Sequence, residues 1–156
     1  GFGVSAQWKE FDINVHFQGA GKSSFFIDGF TVYPFQEKSW GNILTDVVGN
    51  YWSLGTNEDP NAKYPRLSTI EGMNYVSSSF WVVNTAYLKL KSLEIGYNFE
   101  QRLLKKLHVD NLRVYLNFYN LWTIYSDMPK DFDVENQNYN AYPQQFVTSL
   151  GVNITF

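Results

Sequence analysis

Apolar and polar residues alternate along this chain with a period of two, in blocks. Phe2, Val4, Ala6 and Trp8 alternate with Gly3, Ser5 and Gln7, and after an interruption at Lys9-Glu10 the apolar residues Phe11, Ile13, Val15 and Phe17 alternate with Asp12, Asn14, His16 and Gln18. This pattern predicts a hairpin with one apolar and one polar face. The residue types on the polar face point to open water or a wet lumen opposite it. A third block spans residues 87–99. In it Leu88 and Leu90 alternate with Lys89 and Lys91, the phase slips at Ser92, and Leu93, Ile95, Tyr97 and Phe99 continue the stripe. A one-residue slip is the signature of a β-bulge. Leu112, Val114, Leu116 and Phe118 mark a fourth strand, and Phe146, Leu150, Val152, Ile154 and Phe156 a fifth.

The connections alternate in length. Lys9-Glu10 is a tight turn, residues 19–79 are irregular, residues 100–111 are short again and carry a predicted helical turn over 101–107, and residues 123–145 are irregular. Within the first long stretch, the spacing of Ile43, Leu44, Val47 and Val48 before Gly49 predicts one short helix. An irregular connection of that length usually marks function. Short turns at one end and long loops at the other are the asymmetry of bacterial outer-membrane barrels, whose strands cross the bilayer in about 9–11 residues. The predicted fold class is therefore all-β, an antiparallel transmembrane barrel with long extracellular loops. Five strands do not close, since the smallest such barrels need about eight. An open edge in lipid would leave backbone groups unpaired at several kcal/mol each. Residues 1–156 are thus expected to be the C-terminal part of one barrel domain, with the earlier strands outside this chain.

The composition is charge-poor and aromatic-rich, and its mean hydropathy, ordinary for a soluble protein, is compatible with a barrel wall too. Charged residues make up 17% and aromatics 19%, against about 25% charged in ordinary soluble domains. The mean hydropathy of −0.30 suits strands in which every second residue faces a polar lumen. The net charge is −3, and the one cationic cluster, Arg102, Lys105, Lys106 and His108, is too short for a nucleic-acid footprint. The absence of cysteine removes disulfides, thiolate metal sites and Cys nucleophiles. The opening residues show no signal-peptide pattern, and no apolar run approaches the ~18 residues of a membrane helix.

Four segments resemble the C-terminal region of SusC-like (SusC/RagA family) TonB-dependent transporters. Residues 78–97 (SSFWVVNTAYLKLKSLEIGY) follow a run typical of that family, as do residues 57–67 (NEDPNAKYPRL). Leu112-Arg113-Val114-Tyr115 with Asn120-Leu121-Trp122-Thr123, and the alternating end Gly151 to Phe156, complete the set. One departure is Phe132-Asp133-Val134-Glu135, which lacks the proline the family often places there. The resemblance implies a roughly 22-stranded plugged barrel, driven through TonB by way of an N-terminal part not in this chain. It also implies a SusD-like surface lipoprotein acting as a lid, and a nutrient cargo, oligosaccharides first and oligopeptides second. The alternative from another class is a soluble all-β carbohydrate-binding module, which would need no detergent.

Catalytic chemistry has no visible seat: no paired acid and base, nucleophile or metal-ligand spacing emerges, so neither an enzyme nor a cofactor is expected. Asp127, Asp131, Asp133 and Glu135 lack the Gly and terminal Glu of an EF-hand and are read as a solvated loop face. Candidate contacts to cargo or lid are Trp40, Tyr51, Trp52 and Tyr64, with Tyr33 and Phe35 nearby, because flat aromatic faces suit sugar rings and protein partners alike. The competing reading makes these aromatics the loop's own small core or a membrane-interface belt. Lys89 and Lys91 are expected on the lumenal face or near a rim, since a charge on the lipid face in mid-bilayer costs about 2–4 kcal/mol. There they could help guide cargo, but hydrating the wall or pairing with lumenal acids such as Asp12 or Glu94 is the favoured reading. The apolar stripe is expected to meet outer-membrane lipid, and Phe156 to form part of the signal read by the barrel assembly machinery.

Overall fold

The structure, a computed structural model, describes residues 1–27, 33–35, 43–69, 73–130, 132–136 and 141–156. Two compact units emerge. The first comprises Gly1–Gly21, Tyr87–Ser126 and Gln144–Phe156, the second Lys22–Ala86 and Asp127–Pro143.

The first unit is a five-stranded antiparallel sheet in the order β1-β2-β5-β6-β7. Its strands are β1 (Phe2–Trp8), β2 (Phe11–Ala20), β5 (Tyr87–Asn98), β6 (Asn111–Ser126) and β7 (Val147–Thr155), with β1 and β7 at its edges. Direct cross-strand partners share a face, so the register sorts the side chains. Val4 pairs with Val15, Ile13 with Ile95, Ile95 with Leu116 and Leu116 with Leu150. One apolar face therefore runs unbroken across all five strands. On the other face Ser5 pairs with Asn14, Asn14 with Glu94, Glu94 with Asn117 and Asn117 with Ser149.

The slip in β5 is a bulge at Lys91. Ser92 pairs with His16 and Leu90 with Phe17, and on the other side Ser92 pairs with Tyr119 and Leu90 with Trp122. The bulge keeps Leu90 on the apolar face with Leu93. It also explains why β6 outruns its alternation: Asn120 adopts a positive φ of 54° opposite the bulge, the phase resets, and the strand continues to Ser126. At 16 residues β6 exceeds the ~9–11 needed for one crossing.

The turn between β5 and β6 is helical as predicted, α1 (Gln101–Leu104) followed by a 3-10 turn over Lys105–Leu107. The helix expected around Ile43 to Val48 does not form. Val47 N–H donates to Leu44 and Asn50 N–H to Val47, a pair of consecutive turns that Gly49, at a φ of +76°, brings to an end.

The second unit holds a small sheet that periodicity does not reveal, β3 (Ser24–Phe26) with β4 (Val82–Asn84), paired through Phe25 and Val83. The N–H of Ile27 donates to Trp81 and that of Thr85 to Ser23, both at 2.8 Å, extending the ladder at each end.

Candidate functional site

The apolar cluster of the second unit gathers residues from two of the four segments that carried the resemblance, 57–67 and 78–97. Ile27, Tyr33 and Trp81 are buried at its centre, with Phe25, Phe26, Leu44, Tyr64, Tyr75, Val83 and Phe132 packed around them. Tyr33 lies against Trp81 at 4.8 Å and stacks on Tyr75 at 5.0 Å. Trp81 enters on a short 3-10 turn, Ser79–Trp81, and its indole N–H donates to the Asn74 carbonyl at 3.0 Å. A ring this large is buried without loss only when its one donor is satisfied.

Tyr64 arrives on the second segment. Asp59 accepts from the Asn61 and Ala62 N–H groups and turns the chain. Tyr64 then bridges to Tyr51, and its backbone pairs with Asn50 and Trp52 at 3.0 Å each. The Tyr64 hydroxyl donates to Asp46 Oδ2 at 2.6 Å, and Lys63 forms an ion pair with the same carboxylate. Burial pushes the Asp46 carboxyl up, but the hydrogen bonds from Lys63 and Tyr64 and the charges of Lys63 and Lys130 outweigh it and hold it below the ordinary range. A cavity of about 120 Å³ opens beside the cluster, lined among others by Leu44, Tyr64, Phe80 and Trp81.

The candidate contact residues therefore divide. Tyr64, like Tyr33, packs into the cluster, while Tyr51 and Trp52 are half-buried. Phe35 is 40% exposed. Trp40 lies outside the described residues. Phe156, just past β7, is 83% exposed. Residues not named as contacts from the sequence join the surface: Val48, Leu54 and Phe80 are exposed apolar side chains of the same unit. They break no periodic pattern, so the available signal was only their place among turn residues.

The acidic run is spent locally. Asp127 Oδ2 accepts from Asn84 at 2.6 Å, and Asp133 Oδ1 accepts from the Glu135 N–H at 2.8 Å, so this Asp-based turn stands where the family often has proline. Asp131 lies outside the described residues.

On the polar face of the sheet, the two acids named from the sequence share another partner. Asp12 and Glu94 both belong to Arg113. Its guanidinium donates to both Asp12 oxygens and, at 2.7 Å, to Glu94. Gly96 makes this possible, because a Cβ there would lie 2.5 Å from the Arg113 Nη2 and Asp12 Oδ2 atoms. The guanidinium reaches across the bare backbone of Gly96 and so joins strands β2 and β6 over β5. Lys91 instead stands over Tyr119 at 5.0 Å and donates to Gln144 at 2.9 Å. Both lysines are buried, Lys89 at 6% and Lys91 at 7% exposure.

A barrel-type amphipathic sheet joined to a loop-built aromatic cluster matches solved proteins closely. The chain aligns over 99% of its length with the RagAB peptide transporter, at a TM-score of 0.72 and 20% identity, covering 17% of that chain. The RagAB peptide importer in its "closed-closed" state gives 0.72 at 21% identity. TonB-dependent receptor P3 of Formosa agariphila is 27% identical over the whole of this chain, which spans 16% of that receptor. This chain resembles part of a SusC-like TonB-dependent transporter. No family model matches it. The likeness rests on the fold and on 27% identity over the whole of this chain. The proteins matched are receptors and transporters.

Proposed function

We propose that this chain is the C-terminal portion of the barrel wall of a TonB-dependent importer. The observation that carries this reading is the unbroken apolar face across β1, β2, β5, β6 and β7, with a hydrogen-bonded polar face behind it. A soluble sandwich buries such a face against a second sheet, whereas here Val4, Trp8, Leu150 and Ile154 are each more than half exposed. The apolar face meets lipid and the polar face lines the lumen. The plug and TonB contact belong to the remainder of the same barrel, and the protein is not an enzyme.

The second unit, built from the two long connections, stands on the extracellular side. There it receives a SusD-like lipoprotein, with Tyr51 and Trp52 as contacts. The cargo is an oligosaccharide. An oligopeptide is the second reading, supported by the likeness to a peptide transporter. The test is uptake by cells carrying the full-length gene or a deletion of it, fed labelled oligosaccharides and labelled peptides in parallel. Loss of uptake of one class on deletion assigns the cargo. A full-length protein that fractionates with soluble proteins in the absence of detergent would overturn the barrel reading.

A further inference from the structure

The end of the sheet that bears the short connections carries a second, different surface. Trp8 and Phe11, paired across the first turn, lie on the apolar face with exposures of 71% and 50%. Tyr97 pairs with Phe11, and its ring meets Phe11 and Phe99 edge-on at 4.9 Å in each case. Such a row of aromatics marks headgroup depth in a barrel wall. Lys9, in the turn itself, lays its Nζ over the Trp8 ring at 5.0 Å, a cation held at the rim of the row.

Immediately beyond Phe99 the chain enters α1. Leu104 is buried at 2% exposure and ties the turn to the sheet, while Leu103 beside it is 57% exposed. Arg102, Lys105 and Lys106 are exposed around it. Among the described residues none of these three forms an ion pair. They outnumber the flanking acids Glu100 and Asp110, in a chain whose net charge is −3. An exposed leucine set among unpaired cations, next to an aromatic row, is the composition of an element lying in a membrane interface.

From this we infer that Lys9, Arg102, Lys105 and Lys106 bind anionic phospholipid headgroups, with Leu103 reaching the acyl boundary. The inference rests on the barrel reading above. The periplasmic leaflet is the one reached, because short turns lie on the periplasmic side of such barrels. Lys9 stands over Trp8 on the apolar face, which favours lipid over an acidic protein as the partner.

The test uses the full-length transporter, purified in detergent and equilibrated with phosphatidylglycerol and phosphatidylcholine in equal amounts, with retained lipids counted by native mass spectrometry. The wild type should prefer phosphatidylglycerol by about tenfold or more, and the triple variant Arg102→Gln, Lys105→Gln, Lys106→Gln should lose most of that preference. Raising salt on the wild type should weaken the preference in the same direction, a check independent of any folding defect in the variant. Equal preference in both proteins would overturn the inference. So would a variant that loses only a co-purified acidic polypeptide while its lipid preference stands. A protein that needs no detergent refutes the barrel reading itself, whereas a detergent-dependent protein without lipid preference refutes this inference alone.

Discussion

Two glycines on the polar face show how much of this wall is decided by single side chains. Tyr115 lies flat over Gly151, and a Cβ at that position would overlap its ring. The Arg113 guanidinium lies over the same ring, 4.9 Å from its centre, so Gly151, Tyr115, Arg113, Asp12 and Glu94 form one connected arrangement. Gly151→Ala should displace a rigid ring rather than a flexible chain end, at about 1–3 kcal/mol of overpacking, read as a lower unfolding midpoint in urea. Arg113 was legible from sequence only as a polar-phase residue. Its pairing was not, because a diagonal reach across an intervening strand leaves no trace in spacing. Asp46 offers a pH-dependent counterpart. Its carboxyl is held below its ordinary value of 3.8 in the folded protein. It therefore contributes stability above that value and loses it as the pH falls through the folded one. Tyr64→Phe removes one of its donors, a hydrogen bond to a charged group worth about 1.5–3 kcal/mol. Hydrogen exchange should show the loop around residues 46–64 less protected in the variant at neutral pH, and the difference should close as the pH falls through the lowered value of the folded Asp46 carboxyl. A difference that persisted there would mean the hydroxyl acts by packing and not through the Asp46 charge.

At the scale of elements, the strands were legible and the loop structure was not. Period-two alternation located β1, β2, β5 and β7 to within a few residues, since each has one wet and one apolar face. It lost β6 at Asn120, where the bulge resets the phase. It also missed β3 and β4, each only three residues long, which are held by the cluster around Trp81 and not by any pattern of their own. That dependence makes a prediction. Trp81→Ala should cost about 3–5 kcal/mol, spent on the second unit, where every contact described for Trp81 lies. Surface protease should then cut within residues 22–86 of assembled protein while the sheet still migrates as a heat-resistant band. Loss of the band as well would mean that the loop cluster is needed to hold the wall. The final strand makes a separate prediction. Phe156 stands beyond β7, whose outer edge is open to pairing, and we expect its deletion to lower the surface level of the full-length protein and raise its periplasmic degradation. Molecules that do assemble should stay normally heat-resistant. Unchanged surface levels with a lower melting point would make Phe156 an interfacial anchor only.

For the whole molecule, strand direction sets a topology that can be tested. Ala20 at the end of β2 pairs with Tyr87 at the start of β5, and Tyr87 pairs with Ser126 at the end of β6. Both long connections thus leave and rejoin the sheet at one end, and both short turns lie at the other. In a barrel with short periplasmic turns, the long connections must face outward. The SusC-like resemblance in the sequence implied the same orientation, but register establishes the shared end independently of it, because antiparallel pairing admits no other arrangement. Trp52 is the residue to probe. It is half-buried, its backbone is fixed by pairing to Tyr64, and it lies apart from the buried centre formed by Ile27, Tyr33 and Trp81. A photo-crosslinking amino acid at Trp52 of the full-length transporter, activated in whole cells, should capture a surface lipoprotein of SusD type. Substitution there should leave assembly intact, whereas the same probe at Trp81 should disturb the cluster before it captures anything. Capture of periplasmic proteins from position 52 would invert the topology, and with it the assignment of Arg102, Lys105 and Lys106 to the periplasmic leaflet. Both conclusions hang on which end of the sheet faces out, so this one measurement decides them together.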